Sequence, residues 1–285
     1  MSILSLSPRE TLMGQFDAQA VTLIYSRFPA SPTNLTRFMP PMKFVALVLL
    51  AMVPVAQAAD LKPMMAVPDQ VVLQDDFSKP GSLNKQHWTP RQGTQWKIAK
   101  GVLSGSPSPP EYQAKKKDHK GYEPRLSSPT TPAQFIAQFS IKFSGGTETA
   151  IVPFIEFGHH VCRLHLTKEG TAVFADGESV KVAESSELKY EPGRWYHVLA
   201  ELKGEEVVIQ FDGGPVLHAS HPCFAKPTPG GGGGLGLAGP KDGVAELDNV
   251  TLWTIKPDPQ PGWAAKRDTL PRFTHVQTAT KKKAN

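Results

Sequence analysis

"AQFIAQFSIKF" (133–143) alternates along its whole length: Phe135, Ala137, Phe139, Ile141 and Phe143 fall on one side, and Gln134, Gln138 and Lys142 on the other. A period of two sends successive side chains to opposite faces of a strand, so the phenylalanine side predicts a face turned to a core.

Outward from this segment the pattern recurs in short runs broken by Gly, Pro and Asp. "VVLQDDF" (71–77) reads as a first strand, and "WKIAKGVLSG" (96–105) as two strands about a Lys100-Gly101 turn. "AIVPFIEF" (150–157) and "FGHHVCRLHL" (157–166) follow, then "TAVFAD" (171–176) after a turn at Lys168-Glu169-Gly170. "GRWYHVLAEL" (193–202) and "EVVIQFDGG" (206–214) form a hairpin around Lys203-Gly204, and "AELDNVTLWTI" (245–255) reads as the last strand. Helical periodicity is nearly absent. Many short strands without helices predict an all-β fold, a two-sheet antiparallel β-sandwich of jelly-roll type over residues 69–255. The glycines of "PGGGGGLGLAG" (229–239) are read as a loop inside that domain, because Leu235 and Leu237 resume strand spacing.

The flanks differ in character. "MKFVALVLLAMVPVAQAAD" from Met42 carries a basic flank, an apolar run and an Ala-Gln-Ala exit, which is a signal peptide over 42–58. It predicts export to a periplasmic or extracellular location. The run from Phe44 to Val55 is too short for the roughly 30 Å hydrocarbon layer, so no integral membrane span is expected. Residues 1–41 read as a non-native or disordered leader, 59–68 as a linker, and 256–285 as a Pro-rich, basic tail. Pro257, Pro259, Pro261 and Pro271 argue against a sheet in that tail. Trp263 is expected to pin it to the domain, with disorder beyond His275.

A hydrophobic content of 40% is enough to fill a core. The net charge of +5 is concentrated in Lys115, Lys116, Lys117 and Lys120 and in the terminal Lys281, Lys282 and Lys283. Such clusters are solvated loops or contacts to an acidic glycan, and they do not make a spread nucleic-acid footprint, so no nucleic-acid partner is expected. Cys162 and Cys223 lie in the exported part, where either a disulfide or two buried thiols is allowed.

The chemistry concentrates in 156–166. Period two sends His159, Val161, Arg163 and His165 one way and His160, Cys162, Leu164 and Leu166 the other. The pleat therefore splits the histidines, which disfavours zinc, and leaves Arg163, His165 and His159 on a polar face. There Arg163 and an aromatic platform suit sugar recognition. Glu156, in an apolar setting that raises a carboxyl pKa, and His165 are the acid/base candidates; His159, Arg163, Trp195 and His197 are the substrate-binding candidates. Asp76 and Asp248, near the first and last strands, are candidates for a structural calcium, with turn capping as the alternative. No strand carries the alternating Glu/Asp array that glycoside hydrolysis uses, and no Gly-x-Ser-x-Gly elbow or His-Glu-x-x-His helix occurs.

"DDF" (75–77), "WKIAKGVL" (96–103), "GRWYHVLAEL", "VVIQFDGG" (207–214) and "ELDNVTLW" (246–253) follow an order that resembles concanavalin A-like lectin/glucanase domains. "HHVCRLHL" (159–166) and "HPCFAKPTPG" (221–230) are similar to the exported branch grouped with 3-keto-disaccharide hydrolase and laminin-G-like domains. The resemblance covers about residues 69–255 and implies a jelly roll with a carbohydrate partner. It also implies either hydrolysis of an oxidised disaccharide or a non-catalytic glycan-binding or adhesion module of the envelope. A structural envelope protein is a third reading.

Overall fold

The computed structural model describes residues 61–149, 151–226 and 234–278. The leader, the signal peptide, residues 230–233 and residues 281–283 lie outside them. The chain enters through β1 (Ala66–Asp75), β2 (Thr89–Pro90), β3 (Gln95–Ala99) and β4 (Val102–Ser106), then a short helix α1 (Pro110–Lys115). Next come β5 (Arg125–Ser128), β6 (Phe135–Ser144), β7 (Phe154–Phe157), β8 (Cys162–Leu166), β9 (Thr171–Ala175) and β10 (Val180–Ser185). It continues through β11 (Trp195–Lys203), β12 (Glu206–Phe211), β13 (Val216–Ser220), β14 (Leu235–Ala238) and β15 (Val244–Pro259), and closes with α2 (Trp263–Arg267) and β16 (Val276–Gln277).

These strands make two antiparallel sheets. One runs β13-β12-β11-β6-β15-β4-β3 with β1 added on β15; the other runs β16-β10-β9-β8-β7-β14-β5-β2. Consecutive strands are repeatedly split between the layers, as when β6 pairs with β11 and β15 while β7 pairs with β14 and β8. The fold is the jelly-roll sandwich expected from the strand pattern.

The deciding segment behaves as its period requires. Phe135, Ala137, Phe139, Ile141 and Phe143 of β6 all sit in the main core, each at most 2% exposed. Rings of Phe135 and Phe139 meet Phe157 of the facing sheet at 6.5 and 6.4 Å. Truncating one such buried phenylalanine typically costs about 3–5 kcal/mol, so this face holds the two layers together. The outer side of β6 carries Ile136, Gln138, Ser140 and Lys142, which face away from the second sheet.

The described residues of both flanks pack on the domain. Within the 59–68 linker, Met65 and Ala66 are buried. The carboxylate of Glu201, itself 0% exposed, accepts from the backbone N–H groups of Met64, Met65 and Ala66 at 2.9, 2.9 and 2.6 Å. At the other end the sheet does not stop at Lys256: β15 continues to Pro259 on β1, pairing Ala66 with Pro259. The prolines are tolerated because β6 pairs only as far as Trp253, and bulges interrupt the β1 register where ladder donors are missing. Beyond His275, Val276 and Gln277 pair with Lys181 and Val180. Trp263 pins the tail as expected: it packs with Met65, Val208 and Leu270, and its Nε1 donates to Glu206 Oε2 at 3.3 Å.

Cys162 and Cys223 are both buried free thiols, which corrects the disulfide reading. Cys162 faces the core from β8, while the Cys223 thiol, from a 3-10 turn (Pro222–Ala225), donates to the Val161 carbonyl at 3.4 Å. No helix among the described residues is long and apolar enough to cross a membrane.

Candidate functional site

The hairpin of β7 and β8 builds the site. Its register sets Phe154 opposite His165, Ile155 opposite Leu164, Glu156 opposite Arg163 and Phe157 opposite Cys162. Ile155, Phe157, Cys162 and Leu164 enter the core, so the same pleat sends Phe154, Glu156, Arg163 and His165 to the outer face of the second sheet. The division into a greasy and a polar side holds within the strands. It fails in the turn, where His160 has φ 61° and Val161 enters the core instead of sharing the Arg163 face.

On that outer face Arg163 is held between two carboxylates. Its Nε donates to Glu156 Oε1 at 3.0 Å, and its Nη1 donates to Glu178. Glu156 Oε1 also accepts from the His160 backbone N–H at 2.9 Å, and Oε2 lies 3.2 Å from His159 Nδ1. Burial pushes the Glu156 carboxyl up, but the His159 hydrogen bond, the Arg163 charge and the His160 N–H together outweigh it and bring its pKa to about 2. The raised pKa expected for Glu156 is therefore overturned: its apolar setting is outweighed by donors that favour the anion. Glu178 is likewise lowered, burial again being outweighed by His165 and Arg163.

Aromatic rings flank this ion network. The Arg163 guanidinium lies 4.4 Å from the Phe154 ring centroid and that of Arg125 lies 5.5 Å from the same centroid, cation–π contacts that help fix both planes. His165 is stacked on Phe154 at 5.9 Å and tilted on Phe174 at 4.5 Å. It is only 4% exposed, and its Nε2 stands 3.5 Å from Glu178 Oε1, beyond a good hydrogen bond. The expectation that His165 faces an open cleft is corrected by these two rings, which enclose it.

Above Glu156 and Arg163 a cleft of about 570 Å³ opens, walled by the loops around Arg91 and His119 and by Tyr112 and Arg125. The volume falls within the roughly 300–1,000 Å³ of small-ligand sites. Gly93, at φ 71°, lets the wall close: a Cβ there would stand 2.6 Å from the Tyr112 ring. Beside this face β14 sets Gly236 opposite Glu156 and Ala238 opposite Phe154.

The sequence-predicted residues divide between two faces. Glu156, His159, Arg163 and His165 converge on the second sheet. Trp195 and His197 do not join them: Tyr196 and Val198 enter the core, so the alternate pair points from the outer face of the first sheet, on the far side of the sandwich. There Lys142 Nζ lies 4.7 Å from the Trp195 ring centroid and 2.7 Å from Glu246 Oε2, and His197 Nδ1 lies 2.7 Å from Ser140 Oγ. Their assignment to one sugar site with Arg163 is corrected by this topology. The lining residues Arg91, Gln92, Tyr112, His119 and Arg125 lie in loops and at a strand end, where no period marks them. Phe154 was legible, two residues before Glu156 on the same face.

Asp76 and Asp248 repel each other, yet each is engaged locally. Asp76 Oδ1 accepts from Ser78 N at 3.0 Å; Asp248 Oδ1 accepts from Asn249 N at 2.7 Å and Oδ2 from Asn249 Nδ2 at 3.0 Å. Burial pushes the Asp248 carboxyl up from the usual carboxylate range. No group of three or more His, Cys, Asp or Glu side chains suited to a metal occurs among the described residues, and calcium takes about 6–8 oxygens. The pair does not fit a calcium site.

No family model and no curated protein matches the chain. Solved structures of similar architecture include the carbohydrate-binding module CBM66 from Bacillus subtilis (16% identity, 60% of this chain and 98% of that one, TM-score 0.41). Another is SCLam, a non-specific endo-beta-1,3(4)-glucanase of family GH16 (11%, 68% and 95%, 0.43). A third is LamAcat from Zobellia galactanivorans (10%, 65% and 98%, 0.43). The likeness is confined to the layered strands, and what those names say of ligand or reaction concerns those proteins.

Proposed function

We propose that the chain is an exported, non-catalytic carbohydrate-binding module whose ligand lies in the cleft above Glu156 and Arg163. The observation that carries this reading is the Glu156–Arg163–Glu178 network. Glycoside hydrolysis needs a protonated carboxyl for the leaving oxygen, and both carboxylates here are favoured in the ionised form, Glu156 by His159 and Arg163 and Glu178 by His165 and Arg163. What remains is a rigid polar floor beside Phe154 under walls that carry Tyr112, amide and guanidinium groups, the mixture that sugar hydroxyls and ring faces use. Export belongs to this proposal through the segment at 42–58, and the motif resemblance to lectin/glucanase domains supports the choice of ligand.

The test pairs a glycan array with a turnover assay on ordinary and 3-keto disaccharides. Saturable glycan binding with no monosaccharide released is the expected result. Release of monosaccharide that disappears in Glu156→Gln would overturn the non-catalytic reading, and absence of any glycan binding would overturn the carbohydrate one.

A further inference from the structure

The charges of the cleft are distributed unevenly between floor and wall. On the floor, Arg163 is consumed by Glu156 and Glu178, so this part is neutralised from within. The wall is different. The main cleft continues past Gln92, His119 and Arg125 into a second hollow of about 440 Å³ that Lys117 and Lys120 also line. Arg91, Lys117 and Lys120 make no ion pair among the described residues. Arg125 has only a loose one, 3.7 Å to Glu123, and its buried Nε has no hydrogen-bond partner. The charge along this groove is thus predominantly cationic, with Arg91, Arg125, Lys117 and Lys120 against Asp118 and Glu123 among the lining residues of the second hollow and its junction with the cleft.

These cations sit on a fixed wall. The Arg91 N–H donates to the Arg125 carbonyl at 3.0 Å, and the Thr94 hydroxyl bridges the Arg91 and Arg125 carbonyls at 2.8 and 2.9 Å. Gln92 Nε2 lies 3.0 Å from His119 Nδ1, which joins the loop before β3 to the lysine-bearing loop. The second loop is closed in turn by the Ser108 N–H donating to the Gly121 carbonyl at 2.8 Å, with Gly121 packed so tightly that a Cβ would stand 2.2 Å from the Gln92 carbonyl. Two loops locked together hold their guanidinium and ammonium groups toward one groove. Solvated lysine loops have no need of such cross-bracing.

We propose that this groove takes an acidic glycan, with carboxylate or sulfate groups along the chain meeting Arg91, Arg125, Lys117 and Lys120 while a sugar ring lies against Tyr112 in the main cleft. The inference rests on the carbohydrate-binding reading and names the chemical class of its ligand. An unpaired guanidinium fork matches a carboxylate or sulfate edge, and the joined hollows suit several sugar units in a row.

The experiment titrates the purified chain calorimetrically with four probes of equal length: an oligogalacturonate, its methyl ester, a sulfated galactan oligosaccharide and a neutral galactan oligosaccharide. Single-stranded DNA of matched charge is the fifth. An acidic oligosaccharide is expected to bind at least about tenfold more tightly than its neutral counterpart, the ratio one charge-assisted contact supplies. The changes Lys117→Gln and Lys120→Gln together, both in the second hollow and outside the main cleft, should remove that advantage and leave neutral binding as it was. Preference for the uronate or for the sulfated probe identifies which anion is read, and either supports the proposal. Equal binding of acidic and neutral probes overturns it and leaves carbohydrate binding standing. Binding of none of the four overturns both. DNA bound as tightly as the acidic glycans, or an acidic preference that survives the double lysine change, also overturns it.

Discussion

Glu156 and Arg163 face each other across the β7–β8 pair, with Glu156 Oε1 accepting from Nε at 3.0 Å and Nη2 standing 3.0 Å away in the same ion pair. The pair is nearly buried, 8% and 9% exposed, so it acts where solvent screens little. Its consequences separate a structural carboxylate from a catalytic one.

The first consequence concerns acid. The Glu156 pKa falls from 4.5 to about 2 in the fold, so the carboxylate contributes stability that is fully present above pH 4.5 and is lost as pH drops through 2. At about 1.4 kcal/mol per tenfold change in protonation, the loss is about 3 kcal/mol. Thermal melts between pH 6 and pH 2 should show this acid limb in the native chain and a flatter one in Glu156→Gln, about 3 kcal/mol less stable at neutral pH because Arg163 then keeps only Glu178 as an ion-pair partner.

How far the sequence carried the reading depends on how far period two extends. β6 was legible because its five core residues are apolar and their alternates are mostly polar, and the same parity placed Glu156, Arg163 and His165 on one face. Parity says nothing of which sheet a strand joins, so Trp195 and His197 were grouped with residues that lie behind the opposite layer. It also fails in turns, which is why Val161 and His160 changed sides. The cationic wall was invisible for a related reason: Arg91, His119 and Arg125 are brought together by hydrogen bonds between loops far apart in sequence. The tail misled through its prolines, which a bulged pair with one open side accommodates.

The cysteines give a second prediction. Burial raises both thiols, and Cys162 is 0% exposed. A thiol reagent should therefore label neither residue at neutral pH until denaturant is added, when two thiols should titrate. Reductant should leave the melting temperature unchanged; a drop of several degrees would show a disulfide.

A third concerns the tail. Trp263 is 5% exposed against Met65, Val208 and Leu270, and its indole N–H is bonded to Glu206. Trp263→Ala should cost about 3–5 kcal/mol in denaturant unfolding, a value far above that of a loosely tethered terminus. A change under about 0.5 kcal/mol would mean that the tail is not part of the fold.

Chelator supplies a fourth. With Asp76 and Asp248 spent on their own turns, EDTA should leave the melting temperature where it was, and added calcium should not raise it. An upward shift with calcium that vanishes in Asp248→Asn would restore the metal site.

The most direct measurement compares the two outer faces. The best glycan from an array is titrated against Tyr112→Ala/His159→Ala, at the cleft, and against Trp195→Ala/His197→Ala, behind the other sheet. The account predicts at least about a tenfold loss of affinity for the first variant, about 1.4 kcal/mol, and none for the second. Full affinity in the cleft variant together with loss in the Trp195/His197 variant would contradict it.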